Sequence, residues 1–366
     1  MDGERFGPYT LHECLGAGGM AIVHRASHEI GAGVVREVAL KRLLPQLAND
    51  KLFVEDFIRE AKLAAQLDHP NIVHILELGE VEGQYFIAME LVRGTSLVRL
   101  MKQAYATKVG APIGVVIALI SDLCDALDYA ASGRGLYGQA LRIIHRDLTP
   151  SNMIVTDEGR IKIIDFGVAK AMSGKFMTNT GMIKGKLGYM SPEALAGGNA
   201  VDARTDLFSI GVVAWELITN RRLFRGVNEY EVITKIRSGE LPPPSLHHFE
   251  CPDELDGIVL RALARDREDR WQDAASIRAA LDRLRPRFAA GPPQVAQWKE
   301  QLVPVERPPR RDTVIDRIAE GSVRQPTHTV SFEVTRNELP SGRTPAHDDD
   351  EATTLDATIS RSTTEE

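Results

Sequence analysis

His145-Arg146-Asp147-Leu148-Thr149-Pro150-Ser151-Asn152 follows an apolar pair, Ile143-Ile144, and further on Ile161-Lys162-Ile163-Ile164 leads into Asp165-Phe166-Gly167. Phosphoryl transfer from ATP needs a base or orienting group for the attacking hydroxyl and oxygen ligands for Mg²⁺. Asp147 suits the first need, Asn152 and Asp165 the second. Any one of these Asp residues would more often be a turn residue or a helix cap; the ordered set carries the reading. Upstream, Gly16-Ala17-Gly18-Gly19-Met20-Ala21 is a glycine-rich turn where backbone N–H groups can approach phosphate oxygens. Lys41 closes Val38-Ala39-Leu40-Lys41, and Glu60 lies on the apolar face of Phe53, Phe57, Ala64 and Leu67. A carboxylate on that stripe is costly unless paired, and Lys41 is its natural partner.

The segments that must position these residues are of two kinds. Residues 9–16, 22–28, 37–43, 72–78 and 85–90 read as strands, with one helical pattern over 53–67. After Gly94 the chain is mostly helical, as in 113–131, 205–219 and 274–284, and 161–165 reads as a short buried strand. The pattern predicts an α+β chain. A small β-rich lobe over 9–91 joins a larger helical lobe over 94–285, after an extension at 1–8. From residue 286 the composition turns to Thr, Ser, Pro and Arg with few aromatics. Within it Val295, Trp298 and Leu302 recur at helical spacing behind Pro292-Pro293, so 286–302 is expected to dock on the body as a helix. Residues 303–366 are expected to be a disordered, acidic Thr/Pro-rich tail.

Composition narrows the function. Of 366 residues, 43% are hydrophobic and 26% charged, the balance of a globular protein. A net charge of −7 offers no basic field for nucleic acid or an anionic membrane. Cys14, Cys124 and Cys251 are too few and too far apart for a disulfide framework or a zinc site, and they suit a reducing cytoplasm. The longest apolar run, Ile113 to Ile120, is well short of a membrane span.

Taken together, the motifs resemble those of bacterial serine/threonine protein kinases of the eukaryotic (Hanks) type, especially those of myxobacteria. The resemblance rests on Gly16-x-Gly18, Val38-Ala39-Leu40-Lys41, Glu60, His145-Arg146-Asp147, Asn152, Asp165-Phe166-Gly167, Ser191-Pro192-Glu193, Asp206 to Gly211 and Arg270. It implies a bilobal kinase fold, ATP with Mg²⁺ (or Mn²⁺) as cofactors, and protein substrates. By the same resemblance Lys41 would hold the α- and β-phosphates and pair with Glu60. The glycine turn, Gly16 to Ala21, would cover the phosphates. Asp147 would orient and deprotonate the hydroxyl, and Asn152 and Asp165 would bind the metal. Val23, Ala39 and Ile154 would sandwich the adenine, Met89 would be the gatekeeper, and Glu90 to Val92 would form the hinge. Glu193 and Arg270 would form a buried ion pair.

Two departures stand out. Ala21 replaces the third glycine of the loop. Thr149 occupies the position two residues after the catalytic Asp, where these kinases carry a lysine, and Lys186 stands where they carry a threonine. The two residue types look exchanged. We expect Lys186 to project toward Asp147 and Thr149 to supply the hydroxyl hydrogen bond. The alternative is a pseudokinase, a nucleotide-binding scaffold. Thr178 and Thr180 stand where related kinases are autophosphorylated in the activation loop, and Arg146 could pair with the phosphate. In the tail, Thr313 and Thr353 each precede an Asp by three residues, as in phosphothreonine peptides read by FHA domains.

Overall fold

The computed structural model describes residues 3–135, 138–166, 186–197, 201–289 and 291–303. Strands β1 (Arg5–Phe6), β2 (Tyr9–Ala17), β3 (Ala21–Glu29) and β4 (Val35–Leu43) open the chain. Helix α1 (Lys51–Ala64) follows, then β5 (Ile75–Val81) and β6 (Gln84–Glu90). The strands form one antiparallel sheet in the order β1-β2-β3-β4-β6-β5. Alternation along β4 serves both faces. Val38 and Leu40 pack with Tyr9, Ala26 and Phe86, while Ala39 and Leu43 pack with Phe57, Ala61 and Ile87. The second cluster includes the buried side of α1. Asp50 caps that helix by accepting the Leu52 N–H at 3.0 Å. Phe57, Glu60, Ala61 and Ala64 are buried at helical spacing, so Glu60 faces the sheet.

The expected strand over 72–78 is corrected at its start, because β5 begins at Ile75. Residues 72–74 are tied to the other lobe's small sheet and to the end of β6. Ile72 bridges Ile163, and the Val73 N–H donates to the Ile163 carbonyl at 2.8 Å. The His74 N–H donates to the Glu90 carboxylate at 2.9 Å.

The second lobe begins with β7 (Gly94–Ser96), α2 (Leu97–Thr107) and α3 (Ile113–Ser132). Strands β8 (Met153–Thr156) and β9 (Ile161–Ile163) complete a sheet in the order β7-β8-β9. The strand expected over 161–165 stops at Ile163, since the Ile164 N–H leaves the ladder for the Asn152 carbonyl at 2.9 Å. Helices α4 (Pro192–Ala196), α5 (Arg204–Thr219), α6 (Glu229–Ser238), α7 (Asp253–Ala262), α8 (Ala274–Asp282) and α9 (Pro292–Leu302) follow. α3 packs on α5, α8 and α9, and α5 packs on α7. Every residue of α5 from Thr205 to Thr219 is buried, the signature of a helix at the centre of a lobe. Among the described residues no helix is long and apolar enough to cross a membrane.

Candidate active site

Lys41 lies on the β4 face that looks toward α1. Its Nζ donates to Glu60 Oε1 at 2.6 Å and to Asp165 Oδ1 at 2.9 Å. Burial works against the ammonium charge, but the Asp165 and Glu60 carboxylates overcome it and hold the lysine above its ordinary range. Burial and the neighbouring Asp165 push the Glu60 carboxyl up to about 8, with Lys41 offsetting only part of the rise. Lys41 therefore ties Glu60 of α1 and Asp165 into one cluster.

The glycine turn runs from the end of β2 into β3. A Cβ at Gly16 or Gly19 would meet nothing within 4 Å, and one at Gly18 would come no nearer than 3.7 Å to anything. None of the three has a left-handed φ. Nothing in the fold itself demands glycine there, whereas backbone approach to a phosphate would. Ala21 is compatible with the turn because it is already the first residue of β3, buried opposite Leu43. Val23 pairs with Lys41, Ala39 with Met89, and Ile154 with Ser96. Met89 is buried against the α1 side of the sheet. The Glu90 N–H is committed to the His74 carbonyl at 3.0 Å, so the backbone N–H groups of the expected hinge left for adenine are those of Leu91 and Val92.

The catalytic loop is fixed from beneath by α5. The N–H groups of His145 and Arg146 donate to the two oxygens of Asp206 at 2.7 and 2.9 Å. Burial pushes the Asp206 carboxyl up to about 6, opposed by those two donors. Arg146 holds a left-handed φ of 63°, a strained conformation for a non-glycine residue. Asn152 Nδ2 donates to the Asp147 carbonyl at 2.9 Å and to Asp147 Oδ2 at 3.3 Å. Lys186 Nζ donates to the same Oδ2 at 2.7 Å. Lys186 enters a short 3₁₀ turn, Leu187–Tyr189, whose two large side chains are buried, so its backbone is anchored on the C-terminal side. Thr149 departs from expectation. It is buried, and its hydroxyl meets Ser151 Oγ at 2.7 Å, a contact two residues away that the turn makes easily.

The structure adds Glu216, Arg222 and Lys162 to the residues the sequence points to, and joins the expected pair of Glu193 and Arg270. Glu216 of α5 accepts from the Tyr189 hydroxyl at 2.7 Å and from the Leu223 N–H at 3.1 Å, and Arg222 bonds the same hydroxyl. Burial raises both the Glu216 carboxyl and the Tyr189 phenol. Lys162 Nζ meets Glu90 Oε1 at 2.5 Å, which links β9 to the start of the hinge. Arg270 is fully buried. It donates to both Glu193 oxygens at 2.8 and 3.2 Å and to the Arg204 carbonyl at 2.7 Å. Gly167, Thr178, Thr180, Thr313 and Thr353 lie outside the described residues.

A glycine turn free of packing demands, a paired lysine, and a loop bringing a carboxylate, an amide and a lysine together define a two-lobed phosphotransferase cleft. The chain belongs to the protein kinase family: the model for the protein kinase domain matches residues 9–281. A tyrosine-protein kinase, MasK, from Myxococcus xanthus is 41% identical over 279 residues, covering 76% of this chain and 43% of that protein. The serine/threonine-protein kinase PknB of Mycobacterium tuberculosis is 37% identical over 282 residues, covering 75% and 42%. PrkC of Bacillus subtilis, also named a serine/threonine-protein kinase, is 36% identical over 282 residues, covering 75% and 41%. The chain thus spans less than half the length of these relatives. The crystal structure of the M. tuberculosis PknI kinase domain superposes with a TM-score of 0.56 at 31% identity, covering 77% of this chain and 98% of that one. Kinases of this family use ATP and a divalent metal, and the residues present fit both. Asn152 and Asp165 offer oxygen ligands of the type Mg²⁺ prefers, with Asp165 positioned by Lys41 and Asn152 by Asp147.

Proposed function

We propose that the chain is a cytosolic serine/threonine protein kinase in which Lys186 replaces the lysine usually carried two residues after the catalytic Asp. The observation that carries this reading is the 2.7 Å contact of Lys186 Nζ with Asp147 Oδ2. Asp147 takes the proton of the acceptor hydroxyl as its oxygen attacks the γ-phosphorus and the bond to the ADP oxygen breaks. Lys41 steadies the non-transferred phosphates. Lys186 places a positive charge where negative charge spreads over the transferring group. Asn152 and Asp165 would hold Mg²⁺ or Mn²⁺, which supplies charge neutralisation when bound. Arg146, whose buried Nε has no hydrogen-bond partner among the described residues, suits an anionic partner. We assign that role to phosphorylated Thr180 or Thr178 after autophosphorylation. The tail, through Thr313 or Thr353, would serve as a phosphothreonine docking segment for an FHA-type reader.

Thr149 favours a second reading, a scaffold that binds nucleotide without transfer. Labelled ATP, the full chain and a generic acceptor protein separate the two. Wild type is expected to transfer phosphate to Ser and Thr, and Asp147→Asn to transfer none. Lys186→Thr should cost about 10²-fold in kcat, the scale of one lost transition-state donor. Adding Thr149→Lys should restore much of it. Unchanged turnover in Lys186→Thr refutes the substitution. Phosphotyrosine as the product refutes the hydroxyl assignment, which the name of the 41% relative makes worth testing. Phosphopeptides from residues 167–185 that persist in Asp147→Asn refute self-phosphorylation.

A further inference from the structure

α9 lies beyond the end of the family match at residue 281. Three independent contacts seat it. Val295, Trp298 and Leu302 are buried in the core of the second lobe, where α9 packs on α2 and α3. Gly159, in the turn between β8 and β9, has a φ of +78°, and a Cβ there would lie 1.9 Å from the Pro292 carbonyl oxygen and 2.8 Å from the Ala296 nitrogen. The turn and the helix therefore touch backbone to backbone. Finally, Lys299 is only 3% exposed, and its ammonium pairs with Asp157 in that same turn. A buried ammonium is tolerated only against such a partner, so Asp157 and α9 fix one another.

The turn is not remote from the nucleotide cleft. The Asp157 N–H donates to the carbonyl of Arg93 at 3.2 Å, and Arg93 directly follows the hinge residues Glu90 to Val92. Thr156 pairs with Gly94, and Ile154 of the same strand pairs with Ser96. At Gly94 a Cβ would lie 2.3 Å from the Val155 carbonyl oxygen, so β7 has no slack against β8. We propose that α9 is a positioning element of the nucleotide site, with Lys299 setting the outer end of the hinge and the strand bearing Ile154 through Asp157. Its effect is expected first on nucleotide affinity, because the turn's own contacts, Asp157 N–H with the Arg93 carbonyl and Thr156 with Gly94, lead to the hinge.

The test uses the full chain and titrates ADP with Mg²⁺ by calorimetry, which needs no turnover and is independent of the role given to Lys186. Lys299→Met is expected to weaken ADP about three- to tenfold, the range of contacts acting through an intermediate residue. The acceptor-protein KM and kcat at saturating ATP should stay within about twofold. The exchange Lys299→Asp with Asp157→Lys should recover most of the lost affinity. If Lys299→Met does not fold, Asp157→Asn, at a side chain 44% exposed, is expected to weaken ADP in the same sense. A lower melting temperature with ADP affinity unchanged, in either variant, overturns the proposal and leaves α9 a purely structural brace. An equal loss in kcat and in ADP affinity overturns the assignment to the hinge.

Discussion

Arg270→Met should unfold the second lobe before it disturbs chemistry. The guanidinium is fully buried and gives up two bonds to Glu193, one to the Arg204 carbonyl at 2.7 Å and one to the Ala264 carbonyl at 3.0 Å. Its removal leaves Glu193 with hydroxyls alone as side-chain donors, among them Thr205 at 3.0 Å, and no cation. Breaking a buried pair from one side costs about 3–5 kcal/mol. Roughly 2.1 cal mol⁻¹ K⁻¹ of unfolding entropy per residue over about 300 residues gives about 0.6 kcal mol⁻¹ K⁻¹, so the midpoint should fall by about 5–8 °C. Differential scanning calorimetry reads this directly. Replacing both residues with leucine should cost less than either single change, because no charge is left stranded. The pH adds a second constraint. Burial raises the Glu193 carboxyl, but Arg270 and the local N–H donors outweigh it and hold it below the ordinary range. A depressed carboxyl stabilises above its unfolded pKa and loses that contribution as pH falls through its folded value. The gap between wild type and Arg270→Met should therefore narrow below about pH 4. A gap under about 1 °C at neutral pH, or one that widens in acid, would falsify the account.

Two further outcomes follow from other contacts. A double-mutant cycle of Lys162→Met and Glu90→Gln should show coupling of about 1 kcal/mol or less, because both side chains are partly exposed; no coupling at all would mean the 2.5 Å contact does not hold in solution. Glu60, raised to about 8, contributes stability that is complete below its unfolded value and lost as pH rises through about 8. Glu60→Gln should therefore gain on wild type in melting temperature between pH 5 and 9, and a constant difference across that range would count against the raised carboxyl.

Glu60 was legible because a carboxylate on an apolar stripe announces a partner. The same signal is present in 205–219, where Asp206 and Glu216 interrupt a run otherwise built for a lobe centre, but it does not name their partners. Their partners are backbone N–H groups 60 and 61 residues away and a phenol 27 residues away, which no local pattern names. Lys162 shows the limit of strand alternation. The pattern sets it opposite Ile161 and Ile163, yet its bond to Glu90 depends on how the two sheets meet. Residues 72–74 look like strand because they are extended, but two of their backbone bonds go to the other lobe's sheet and to a side chain. Thr149 differs for a local reason. A hydroxyl finds its nearest neighbour, here Ser151, before it reaches across the cleft.

Lys186 and Tyr189 stand three residues apart on one short run of backbone, one bound to Asp147 and the other to Glu216. The ammonium that meets Asp147 and the phenol that meets α5 are therefore mechanically one piece, and any event that lifts this run off α5 withdraws the lysine from Asp147 at the same time.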